Sequence, residues 1–190
     1  MESRLHKRIE NSKRSQEFRF INEENWLPAN FFGNALDLGC GSGLYTKFLS
    51  EKGISTVAFD IDLKSLKIAD DYVKDNNLRN CCGTGAFLPF KDSVFDLVVC
   101  IEALSHLCHK DHNLVIKECH RVLKKDGVMI ISVHNKIRFY LQNISKLKKP
   151  TSVIFNPGLD IYTLSKNEFQ KGLEKVGFHF INNFFFKNFF

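Results

Sequence analysis

The chain has 190 residues, 44% hydrophobic and 25% charged, with a formal net charge of +6 and six cysteines. That length fits one domain around one core, and the balance is ordinary for a globular protein. No apolar run is long enough to span a bilayer as a helix, and the opening MESRLHKRIENSKRSQEFRF lacks the apolar stretch of a signal peptide, so a cytoplasmic protein is expected.

The first thirty residues read as one or two helices outside a sheet. Their charges nearly cancel, and Phe18, Phe20, Ile21, Trp26 and Leu27 call for burial, either as a flap over a ligand cleft or as packing on a sheet edge. From residue 31 to 190 one domain is expected. Asn34–Leu38 is a short apolar strand. Leu44, Tyr45, Phe48 and Leu49 recur at helical spacing up to Lys52, and Gly53 stops that helix. Ser55–Phe59 is a second strand. Leu63, Leu66, Ala69, Tyr72 and Val73 form the stripe of a second helix. Asn80–Cys82 is a short strand, and FDLVVCI at Phe95–Ile101 has the continuous apolar run of a strand buried on both faces. A helix is expected over Asp111–Lys124, a buried strand over Gly127–Val133, and a last helix over Ser165–Val176, capped by Ser165 with Glu168 and ended by Gly177. Strand and helix alternate as in a Rossmann-like α/β fold: a doubly wound, mostly parallel sheet with helices on both faces.

Two stretches stand apart. From His134 to Pro150 there are five basic residues and no acid. A solvated helix face explains them better than an RNA-facing patch, since no RNA-binding signature accompanies them. After Gly177, seven of the remaining thirteen residues are Phe. Either a tight turn at Asn182-Asn183 makes a shortened hairpin, or a final strand is missing and an apolar edge invites self-association or a protein partner. The cysteines, at 40, 81, 82, 100, 108 and 119, lie mostly inside apolar segments, as buried free thiols do.

The chemistry centres on Asp37-Leu38-Gly39-Cys40-Gly41-Ser42-Gly43. A dinucleotide fingerprint places its third glycine one position later, where Leu44 stands, and a phosphate-binding Walker loop needs a Gly-Lys-Ser/Thr that is absent. Glycines at every second position suit a ligand without a pyrophosphate that presses on bare backbone. Asp60, twenty-one residues after Gly39, ends the strand TVAFD, where a carboxylate can accept two ribose hydroxyls, while Asp62 is free to cap the next helix.

DLGCGSG, AFDID, LPFKDSVFDLVVC and ECHRVLKKDGVMIISV, in that order, resemble the class I S-adenosylmethionine-dependent methyltransferases, and most nearly the small-domain group that includes the quinone-biosynthesis enzymes. The resemblance runs from about Ala35 to Phe178. It implies S-adenosylmethionine as cofactor, with Gly39, Cys40, Gly41 and Gly43 along its methionyl and ribose part. It also implies Asp37 and the Ile101 carbonyl at its ammonium, Asp60 at its ribose, and Ile61, Gly85 and Ala86 at its adenine. Thr84 stands where relatives often carry Asp toward the adenine amino group, and a neutral hydroxyl makes a weaker bond there.

Methyl transfer from a sulfonium mainly requires alignment and exclusion of water, and a base only where the acceptor must lose a proton. His106 matches a position that is often histidine in similar sequences and is the candidate base, or else shapes the pocket. Tyr45 is a second candidate at the methyl site. Glu102, His134 and Asn135 are expected to border the acceptor's side, and the resemblance implies a lid over about 135–162 that includes Tyr162. A small-molecule acceptor is expected. An RNA acceptor, or a non-catalytic subunit working with a partner, is the alternative. His106, Cys108, His109, His112, Cys119 and His120 crowd together, but no C-x-x-C pair accompanies them, so no metal is expected.

Overall fold

A computed structural model of the chain describes residues 27, 31–75, 78–107, 109–133, 152–156, 159–162 and 166–179. Strands β1 (Asn34–Leu38), β2 (Ser55–Asp60), β3 (Arg79–Cys82), β4 (Phe95–Ile101) and β5 (Leu123–Ser132) form one parallel sheet in the order β3-β2-β1-β4-β5. Helix α1 (Leu44–Glu51) joins β1 to β2, α2 (Leu63–Val73) joins β2 to β3, and α3 (His109–Val122) joins β4 to β5 after a short 3-10 helix at Ala103–His106. Helix α4 is Lys166–Val176.

Alternation along the strands sends successive side chains to opposite faces. Ala35, Leu97 and Val99 meet Phe48 and Leu49 of α1 on one face, and Ala58 meets Leu66 and Ala69 of α2. Leu36, Leu38, Val57, Phe59, Val98 and Cys100 meet Val115, Ile116 and Cys119 of α3 and Leu173 of α4 on the other. The sheet is thus covered on both sides, as a doubly wound fold requires. Each fully buried Leu, Val or Phe contributes about 1.5–3 kcal/mol, so the apolar strands carry the fold. Leu27 buries itself among Leu97, Val99, Phe48 and Ile54, on the α1 face.

Three local features depart from the sequence expectation. Strand β5 begins at Leu123, which pairs with Phe95. The register then jumps to Leu97 opposite Val128, so residues 124–127 bulge out with Asp126 at φ 64. Lys124 lies beyond α3, and its ammonium reaches both oxygens of Asp96 at 2.9 Å. Within 135–162, strands β6 (Ser152–Asn156) and β7 (Leu159–Tyr162) pair as an antiparallel ribbon, and β7 lies beside the 3-10 helix. Cys82 is exposed although Cys40, Cys100 and Cys119 are buried, because β3 is the edge strand and has no outer neighbour. The N-terminal segment before Leu27, the basic run 136–149 and the Phe-rich segment 180–190 lie outside the described residues. Among the described residues no helix is long and apolar enough to cross a membrane.

Candidate functional site

The strand order reverses between β1 and β4, and open α/β sheets bind ligands at the carboxyl ends of the strands beside such a reversal. The loop after β1 is tied to β2 by its backbone. Gly39 and Cys40 both donate their amides to the Phe59 carbonyl, at 2.7 and 3.0 Å, and Gly43 donates to Cys40 at 2.9 Å. Gly39, Gly41 and Gly43 all take left-handed backbone, with φ of 75, 53 and 80. Their surroundings differ. A side-chain carbon at Gly43 would lie 2.9 Å from the Ala69 Cα of α2, and one at Gly39 would run into Ala103. One at Gly41 would meet nothing within 4 Å. Two glycines therefore let neighbouring elements close on the loop, and Gly41 alone presents bare backbone to open space. Cys40 is buried beneath the loop beside Ala58 and Leu66.

Asp60 and Asp62 divide their work. Asp60 Oδ2 accepts the Gly41 amide and Oδ1 the Asp62 amide, both at 2.9 Å. Each oxygen has a second lone pair for a ligand hydroxyl. Asp62 caps α2, accepting from the Lys64 amide and the Ser65 hydroxyl at 3.0 Å, and these bonds hold its carboxyl below the usual range. Between them Ile61 is 72% exposed. The segment after β3 adjoins this point: Gly83 donates to the Asp60 carbonyl at 3.1 Å. A turn follows in which Phe87 donates to the Thr84 carbonyl at 3.1 Å and Ala86 to the Thr84 hydroxyl at 3.4 Å. Gly85 and Ala86 rest on the core, while Phe87 is 73% exposed. Two large apolar side chains thus stand uncovered at the carboxyl edge of β2 and β3.

Asp37 is 2% exposed, on the α1 face of β1. The Thr46 hydroxyl of α1 donates to its Oδ2 at 2.6 Å. Burial nevertheless pushes its pKa up to about 7, helped by the charge of Asp60 and opposed by the hydrogen bonds from Thr46. A buried carboxyl in this state favours a cation at its side. Burial likewise pushes the Cys100 thiol up to about 12 and raises Cys40 and Cys119 well beyond ordinary thiols, which makes them inert packing groups.

At the end of β4, half-buried Ile101 leads into Glu102, which takes left-handed backbone at φ 58. The Glu102 amide is shared between the carbonyl and the hydroxyl of Ser132 on β5, at 3.2 and 3.0 Å. The 3-10 helix that follows buries Leu104 and Ser105 and leaves His106 exposed. His112 of α3, 4% exposed, donates from Nε2 to the carbonyls of both Leu104 and Leu107 at 2.8 Å, which fixes the hydrogen on that nitrogen. Of the crowded His and Cys, Cys108 and the His109 side chain lie outside the described residues, and the others serve separate ends. His112 anchors backbone, Cys119 faces the core, and the His120 ring packs edge-on against Phe178 at 5.1 Å. Among the described residues no group of His, Cys, Asp and Glu is arranged to hold a metal.

Tyr45 is half-buried against the cluster that contains Leu27 and Phe48. Tyr162 ends β7, beside the 3-10 helix. His134 and Asn135 lie outside the described residues. Sequence reasoning missed Thr46, Phe87 and His112, together with Glu118 and Arg121 of α3. Only the last two left a legible signal, an acid and an arginine three apart on a helix.

A parallel sheet of this order, with bare backbone and a carboxylate joined across its first two strands, is the framework of the class I S-adenosylmethionine-dependent methyltransferases. The chain belongs to the methyltransferase-domain family, whose model matches residues 36–131, half of its length. It is 35% identical over 118 residues to the uncharacterized protein MJ0638 of Methanocaldococcus jannaschii, covering 62% of this chain and 45% of that protein. It is 33% identical over 102 residues to a ubiquinone biosynthesis O-methyltransferase of Pelagibacter ubique, covering 53% and 42%. The chain spans less than half the length of these curated relatives. The crystal structure of the PH0226 protein of Pyrococcus horikoshii matches with a TM-score of 0.71 at 25% identity, over 85% of this chain and 82% of that one. A chain from the complex of the Haloferax volcanii Trm112 methyltransferase activator with a methyltransferase shares the fold, with a TM-score of 0.71 at 20% identity over 90% and 73%.

Proposed function

We propose that the chain transfers a methyl group from S-adenosylmethionine to a small-molecule acceptor by in-line displacement. The junction of Gly41 with Asp60 carries this reading: open space over a bare amide, and a carboxylate with acceptor sites to spare directly beside it. S-adenosylmethionine supplies a methyl on a sulfonium centre, hence both the electrophile and its leaving group. In this reading Asp60 holds the ribose hydroxyls, and the Gly39–Gly43 backbone faces the methionyl and ribose portion. Ile61, Gly85 and Ala86 cover the adenine, and Thr84 meets its edge with a neutral, weaker bond. Asp37 and the Ile101 carbonyl hold the ammonium. His106, exposed on the 3-10 helix, takes the acceptor's proton where there is one to lose, while Tyr45 and Glu102 shape the methyl site. His134, Asn135 and Tyr162 belong to the lid.

The named role of relatives in ubiquinone biosynthesis supports a small acceptor over RNA. The free cysteines support a cytoplasmic setting. A protein partner is the second reading, favoured by the fold neighbour whose complex contains the Trm112 activator. The deciding experiment is calorimetric titration with S-adenosylmethionine and its demethylated product, beside Asp60→Asn. Binding that the variant loses supports the enzyme. No binding by the wild type alone overturns it in favour of a partner-dependent subunit.

A further inference from the structure

Behind the Thr84–Phe87 turn, side chains of α3 stand where a neighbouring strand would. Leu88 donates its amide to Glu118 Oε2 at 2.7 Å, and its carbonyl accepts from Arg121 Nη2 at 3.0 Å. Arg121 uses all five of its N–H groups. Nε reaches Glu118 Oε1, and Nη2 reaches Glu118 Oε2, each at 2.7 Å. Nη1 reaches both the Phe90 carbonyl and Asp92 Oδ1, again at 2.7 Å. The Phe90 ring, placed by that carbonyl, packs edge-on against Phe59 at 6.0 Å and Phe95 at 5.1 Å. Phe59 is the residue whose carbonyl ties down Gly39 and Cys40. One guanidinium is thus joined both to the turn after β3 and, through two rings, to the glycine loop after β1.

We infer that Glu118 and Arg121 are a positioning pair for the cofactor: by fixing Leu88 and Phe90 they set the Thr84–Phe87 turn against Asp60 and Ile61. The inference rests on the reading above that this cleft takes S-adenosylmethionine. An ordinary exposed ion pair would do little, because solvent screens it. This pair differs because its acceptors include two backbone carbonyls, and its donors form a planar fork that an ammonium does not reproduce. Its effect falls on the placement of a turn one residue away, and displacements of an ångström in such elements have large consequences for binding and turnover.

The test is calorimetric titration of S-adenosylhomocysteine into wild type, Arg121→Lys, Glu118→Gln and Lys124→Met, well below the melting point of each, with melting points recorded in the same buffer. Lys124 holds an ion pair of similar length with Asp96, at the amino end of β4 and away from the carboxyl ends of the strands. Arg121→Lys and Glu118→Gln are expected to weaken binding on the order of tenfold or more in fully folded protein. Lys124→Met is expected to stay within about twofold of wild type, being remote from the cleft. Folded Arg121 and Glu118 variants that melt lower but bind like wild type overturn the inference, since the pair is then only structural. If Arg121→Lys fails to fold, Glu118→Gln decides alone, because Gln keeps an oxygen for the Leu88 amide while losing the charge that orients Arg121. A wild type that binds nothing removes the functional reading first, and the inference with it.

Discussion

The two sides of the cleft are held by different chemistry. Around β1 and β2 the fastened groups are main-chain amides: those of Gly39 and Cys40 on the Phe59 carbonyl, and those of Gly41 and Asp62 on the Asp60 carboxylate. After β3 and β4 side chains borrowed from elsewhere join in: Glu118 and Arg121 of α3 on Leu88, His112 of α3 on Leu104 and Leu107, and the Ser132 hydroxyl of β5 on Glu102. Backbone fastening accepts few residue types, so glycine and aspartate recur there at fixed spacing. Side-chain fastening has many solutions, so under the proposed function the acceptor side of the cleft tolerates more substitution than the cofactor side.

Within the glycine loop the same contrast can be broken by one methyl group. Gly43→Ala places a carbon against the backbone of α2 in a left-handed residue, and is expected to cost about 3 kcal/mol of stability. Gly41→Ala meets open space and bears only the left-handed penalty of about 1–2 kcal/mol, yet under the proposed function it fills room the cofactor would take. Thermal melts and S-adenosylhomocysteine titrations should therefore separate the two. Gly43→Ala loses fold first, and Gly41→Ala loses binding first. Equal behaviour in both assays would end the distinction.

The acids at the end of β2 sharpen it further. Asp60→Ala removes the acceptor of two amides together with the proposed ribose contacts, and cofactor affinity should fall about a hundredfold or more. Asp62→Ala removes a helix cap only, so the melting point should drop slightly with affinity unchanged. Across the cleft, His106→Ala should leave the affinity for S-adenosylhomocysteine untouched and lower turnover of a proton-bearing acceptor about a hundredfold. Unchanged turnover would remove His106 as base and leave it a pocket residue.

The same chemistry explains how much could be read from the chain. Strands β1, β2 and β4 announced themselves as apolar runs because both their faces are buried, and Asp60 and Asp62 were told apart because a strand-end acid and a helix cap occupy different positions. Phe87 gave no signal, since exposure is a property of the folded turn and not of the residue type. Thr46 and His112 were invisible for a related reason: their partners, Asp37 and the Leu104 and Leu107 carbonyls, meet them only in three dimensions. The β6–β7 ribbon is a different case. SVIFNPGLDIY sets two β-rich runs around Asn-Pro-Gly, a legible hairpin signal, but the resemblance assigned 135–162 as one lid and no strand was read within it. The bulge after Leu123 had no signal of its own, because it is a shift in the pairing of Leu123 with Phe95 and Val128 with Leu97, which only the folded sheet brings together.

The smallest expected effect is also the one that reports on ligand charge. Burial disfavours the charge of Asp37 and pushes its pKa from the ordinary 3.8 up to about 7. Between those two values the folded chain holds a proton that the unfolded chain has lost. Stability contributed by this group is therefore present at low pH and declines as pH rises toward and through 7. A ligand ammonium beside Asp37 favours the ionised form and lowers its pKa, so binding expels the proton. Affinity for S-adenosylhomocysteine should then rise on the order of tenfold from about pH 6 to about pH 7.5, with proton release visible as a buffer-dependent heat. Asp37→Asn should flatten both the melting and the binding profiles. Thr46→Val, which removes a hydrogen bond that lowers the pKa, should move both to higher pH. A wild-type binding profile already flat across this range would show that the ammonium is held by carbonyls such as that of Ile101, and that Asp37 serves α1 through Thr46 alone.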